Sequence, residues 1–160
     1  MLGIIRISAL VLAMAAFASS LLAENKIADL QARLAHEPNP VSKARMMPQL
    51  GDLEFAEIDS DVNKGRLTEA LTLLTAYRDE VFSCDKALDA LGIDADKHPN
   101  GFKQLQFSLR DSLRRLDIVI VSMTTDEQPP FLEIRKELRE LDRHLIEQLF
   151  PHQDPAKPQS

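Results

Sequence analysis

The sequence predicts an all-α fold: an antiparallel up-and-down four-helix bundle with a short additional N-terminal helix. Apolar residues recur every three or four positions almost throughout, and no stretch sustains the alternation of a β-strand. The long periodic stretches are separated by short breaks rich in proline, glycine and polar residues, a pattern that folds successive helices back on one another.

The first helix is expected over residues 24–36, with Ile27, Leu30 and Leu34 on one face, and stops where Pro38 and Pro40 force a turn. The second, residues 41–64, offers Met46, Leu50, Leu53, Ile58 and Val62 to the core. Pro48 lies inside it and removes a backbone donor, which predicts a kink or a restart. Gly65 should end this helix, because glycine accepts the left-handed conformation common just past a helix end.

The third helix, residues 67–91, has the clearest period, through Leu67, Ala70, Leu74, Tyr77, Val81, Cys84, Leu88 and Leu91. Its length is about 37 Å at ~1.5 Å per residue. Gly92 closes it, and a polar loop over residues 93–101 follows, with Asn100 expected to cap the next helix and Asp96 or His98 to pin the loop. The fourth helix carries Phe102, Leu105, Leu109, Leu113, Leu116, Val119 and Met123, and its segment 118–121 is apolar on several faces, so it should be enclosed. After a turn at residues 124–128, Pro129 and Pro130 suit the first turn of a fifth helix. Its core face is Phe131, Ile134, Leu138, Leu141, Leu145 and Leu149. Residues 24–150 thus form the bundle domain, and the proline-rich polar tail 151–160 is expected to be disordered.

Residues 1–23 have the order of a secretory signal: a positive charge at Arg6, an apolar run from Ile7 to Ala18, and a small-residue cleavage site at Ala16, Phe17 and Ala18, with Ala23 as a second candidate end. Cleavage would leave Ser19 or Glu24 as the first residue of a periplasmic or secreted protein that has no membrane attachment. The alternative is a retained anchor, since the weakly polar stretch from Ile7 to Ala23 approaches the lower limit of a membrane span. Acylation at a new N-terminus would need a cysteine there, and the one cysteine is Cys84.

A single cysteine also rules out an intrachain disulfide, and its place in an apolar stripe predicts a buried, inert side chain. The net charge of −6, one unit more negative without Arg6, argues against general affinity for nucleic acid or anionic lipid. With no tryptophan and one tyrosine, stacking surfaces for single strands or sugars are scarce.

No catalytic, metal or cofactor motif emerges. A calcium loop beginning at Asp94 would place Pro99 at the glycine position and Leu105 at the bidentate glutamate position. Three residues before His36, His98, His144 and His152 stand Arg33, Ala95, Leu141 and Leu149, so the Glu-x-x-His pairs of di-iron bundles are missing. His144 reads as a solvated helix-edge residue one turn after Glu140. Two charged strips do stand out. One is acidic, Asp52, Glu54, Glu57, Asp59 and Asp61, in a stretch without lysine or arginine between Arg45 and Lys64; the other is basic, Lys103, Arg110, Arg114 and Arg115. Such strips are either solvated faces that neutralise one another or a docking surface for a partner. The fifth helix mixes signs at helical spacing, as in Glu133, Lys136 and Glu140, and reads as a plain exposed face.

The stretch from Gly65 to Leu71, with Leu74 beyond it, resembles the middle of a tetratricopeptide repeat, but its first-helix aromatic is at best shifted to Phe55 and no second copy follows. The segments His98 to Lys103, Ser112 to Asp117 and Pro129 to Phe131 resemble exported all-helical bacterial proteins that have no assigned activity. That resemblance implies a helical exported fold and carries no catalytic residue. The functional expectation is therefore a non-enzymatic exported helical protein that binds another envelope protein, or a second copy of itself, without a cofactor. The alternative is a carrier or sensor of a small apolar ligand in the bundle core, suggested by five methionines and seven phenylalanines.

Overall fold

The computed structural model describes residues 25–151. The proposed signal segment and nearly all of the tail lie outside them. The chain forms five helices: a short α1 over residues 25–36, then α2 (Pro40–Asn63), α3 (Leu67–Asp89), α4 (Phe102–Ser122) and α5 (Pro129–Leu149). No described helix is long and apolar enough to cross a membrane.

Each boundary has a local cause. Asn39 caps α2, its side chain accepting from the amides of Val41 and Ser42 at 2.9 and 3.1 Å, while Pro40 takes the first turn, where a missing donor costs little. At the other end Gly65 adopts φ +72°; its amide donates to the Val62 carbonyl and that of Arg66 to the Asp61 carbonyl, which satisfies carbonyls the helix would leave orphaned. The cap of α4 is Gly101, one residue beyond the expected Asn100, with Gln104 Oε1 accepting from the Gly101 amide at 2.6 Å. The loop before it is organised by Asp94 and not by Asp96 or His98: its carbonyl accepts from the amides of Lys97 and His98, and its carboxylate pairs with Lys97 at 2.6 Å. Pro129 and Pro130 open α5 as expected, and Gln128 before them donates to the carbonyls of Ile120 and Met123 at the end of α4.

The four long helices alternate in direction. Around the bundle, however, α2 lies between α3 and α4, and α5 also touches both of those, while α2 and α5 do not meet. Because α3 and α4 also touch, they lie across the short diagonal of the bundle, which the α3–α4 connection bridges, and the parallel pairs α2/α4 and α3/α5 are neighbours. Side chains mark this arrangement: Asp52 of α2 pairs with Arg115 of α4, and Arg78 and Asp89 of α3 reach Glu137 and Gln148 of α5 at 3.2 and 2.9 Å.

One contiguous core fills the centre. The periodic faces of α4 and α5 are buried as expected, as are Ala70, Leu74, Tyr77, Val81, Cys84 and Leu88 of α3, whereas Leu91 beyond the helix end is exposed and Leu67 only partly covered. Tyr77 anchors the middle, edge-to-face with Phe55 at 5.2 Å and donating to Ser112 Oγ at 2.7 Å. Gly51 lets this cluster close, because a Cβ there would stand 2.9 Å from Ser112 Oγ.

Further expectations for α2 and α4 need correction. In α2 the buried face is Ala44, Met47, Leu50, Gly51, Glu54, Phe55, Ile58 and Asp61, with Met46, Leu53 and Val62 only partly covered, because neighbours on several sides widen its buried face into small and acidic positions. In α4, Ile118 and Val121 are not enclosed but 65% and 82% exposed, since Leu116, Val119 and Ile120 take the inward positions of that turn. Pro48 sits on the exposed side of α2, which runs through it without a break in helical structure.

Candidate functional site

The two charged strips meet different fates. Of the acidic strip, Glu54 is fully buried and Asp61 nearly so; Glu57 is partly covered, and Asp52 and Asp59 are exposed. Gln31 of α1 donates to Glu54 Oε1 at 2.7 Å, and burial, against that bond, pushes the Glu54 carboxyl up to about 8. Asp61 pairs with Arg66, whose guanidinium also lies 3.5 Å from Glu57. Asp52 is engaged by Arg115. Glu54, Glu57 and Asp61 thus serve the packing of α1, α2 and α3, while Asp52 ties α2 to α4, and the strip does not make one open surface.

The basic strip remains open. Lys103, Arg110 and Arg114 are exposed, and Lys103 and Arg110 have no ion-pair partner among the described residues. Arg114 pairs with Asp111 one turn earlier, yet its side chain is 75% exposed. Arg115 lies at the edge, held by Asp52 and by Asp111 at 3.3 Å.

The strip does not stand alone on its helix. At ~100° per residue, Lys103, Phe107, Arg110, Arg114, Ile118 and Val121 fall within a sector of about 80° on α4. Phe107, Ile118 and Val121 are all more than half exposed. The Lys103 ammonium lies 5.5 Å from the Phe107 ring centroid, which aligns cation and aromatic at one end of the face. Three cations and three large apolar side chains therefore share one outward face. The basic residues are legible in the sequence; of their apolar companions, spacing places Ile118 and Val121 in the interior and does not single out Phe107, because only the bundle geometry shows which side of α4 is left unpacked.

Elsewhere, an open groove of about 550 Å³ runs between α1 and the α2–α3 hairpin, lined by Ile27, Ala28 and Leu73 and rimmed by Glu57, Asp61 and Arg66. It lies outside the bundle core and no methionine or phenylalanine lines it, so it does not match the core cavity expected for an apolar ligand. Cys84 is buried, and desolvation pushes its thiol up to about 12, the opposite of an activated nucleophile. Compared with protein-family models, curated proteins and solved structures, the chain matches none.

Proposed function

We propose that the protein is an exported, non-enzymatic helical interaction module whose α4 outer face docks an acidic segment of another envelope protein. The observation that carries this reading is the shared face of Lys103, Phe107, Arg110, Arg114, Ile118 and Val121. Exposed aliphatic and aromatic side chains at helical spacing supply the area a partner covers, and exposed cations, two of them without an ion-pair partner among the described residues, select for acidic partners and speed encounter. Export rests on the leader-like residues 1–23.

Charge reversal tests the reading. Arg110→Glu with Arg114→Glu is compared with Lys136→Glu and Arg143→Glu, an equal charge change at exposed positions on α5. Recovery of the partner from the cell envelope should fall at least about tenfold for the α4 pair, with a salt dependence that the same pair removes, and stay unchanged for the α5 pair. Equal recovery with both would remove α4 from the interface.

A further inference from the structure

We propose that Asp85 and Asp89 of α3 and His144 of α5 form a binding site for a divalent first-row transition metal. One donor atom from each of the three residues lies within 4.8 Å of the other two. A tetrahedral site with ligand bonds of 2.0–2.2 Å needs separations of about 3.4 Å, so modest side-chain rotation closes the set. Asp89 and His144, both about half exposed, have the freedom to make it.

Proximity alone would be an ordinary surface cluster. The distinguishing feature is Asp85, which is 9% exposed and whose Oδ1 is shut off from solvent without a hydrogen-bond partner. A buried carboxylate oxygen lacking a donor has a desolvation cost that a cation would offset. The surroundings fit: Gln148 donates to Asp89 Oδ1 at 2.9 Å and leaves Oδ2 3.9 Å from His144 Nε2. A ligand carboxylate oriented by an outer amide is the usual arrangement around protein-bound metals. Asp85 and His144 also line an open depression of about 480 Å³ with Phe82, Glu137 and Glu140, leaving room for the water that completes a three-ligand site. Two carboxylates balance a divalent charge, and the imidazole favours zinc, nickel, copper or cobalt over calcium or magnesium. Since α3 and α5 are parallel neighbours, the metal would also clip their C-terminal halves together.

The full chain, stripped with chelator, is titrated with Zn²⁺ by calorimetry and melted with and without the metal. The expected result is one Zn²⁺ per chain and a raised melting temperature, with affinity reduced about tenfold or more in both Asp85→Asn and His144→Ala and the thermal shift lost with it. Asp85→Asn keeps the shape of the buried side chain, and His144→Ala changes a half-exposed one, so helical content serves as the control for folding. No binding at tens of micromolar Zn²⁺ would overturn the site. So would binding that both variants leave intact, which would place the metal on other residues.

Discussion

Glu54 has no exposed surface, one oxygen engaged by Gln31 and the other, Oε2, without a partner. Burial, and to a lesser extent the charge of Glu80, hold its proton to about pH 8, and the buried Tyr77 lies near enough to feel its charge. A carboxyl whose folded pKa is raised binds protons in the native state that the unfolded chain has released. Its contribution to stability is therefore complete below about pH 4.5 and declines as pH rises toward 8. Urea denaturation between pH 5 and 8 should show the wild type losing on the order of 2–4 kcal/mol from this residue. In Glu54→Gln, which keeps the acceptor for Gln31 and carries no charge, that slope should flatten; an unchanged slope would mean the carboxylate is ionised in the native protein. Tyr77→Phe, which removes the buried bond to Ser112 Oγ, should cost about 1 kcal/mol in the same assay, more if Ser112 then finds no other partner.

Helix ends set the lengths of the elements, and their glycines differ in kind. Gly65 has open space around its missing Cβ, so Gly65→Ala should cost about 1–2 kcal/mol from the left-handed backbone alone. At Gly101, φ is +92° and a Cβ would come within 2.6 Å of Leu88 Cδ2 and 3.2 Å of Val41 Cγ2. Gly101→Ala should therefore destabilise by clearly more than Gly65→Ala, and thermal melts of the two variants check the order. The elements themselves were legible because helical period and turn chemistry agree: the buried faces of α4 and α5 follow directly from spacing. α2 was harder to read. Met46 and Met47 are adjacent apolar residues on different sides of the helix, and spacing alone does not say that α2 will bury Gly51, Glu54 and Asp61 against α1, α3 and α4. The error at Ile118 and Val121 has the converse cause: a run of apolar residues reads as interior until the bundle shows that one side of α4 has no neighbour.

At the level of the whole molecule, alternating helix direction follows from short connections, but cyclic order does not. The twelve residues 90–101 between α3 and α4 are long enough to cross the bundle, and nothing in a helical period distinguishes a neighbouring from a diagonal partner. That crossing sets α2 against α4 and α3 against α5. It thereby draws Asp52 toward Arg115, and Asp89 toward His144 and Gln148, pairings that no local spacing reveals. It also leaves the Lys103-to-Val121 side of α4 facing outward, where the protein is proposed to meet its partner. The most direct measurement is to replace Val121 with a photo-crosslinking amino acid, irradiate cells, and map the adduct by mass spectrometry beside a control placed at Ser83 on α3. An adduct at Val121 alone, joined to an acidic segment of another protein and lost when Arg110 and Arg114 are reversed, is the predicted result. No adduct, an equal one from Ser83, or one joined to a second copy of this chain would contradict it.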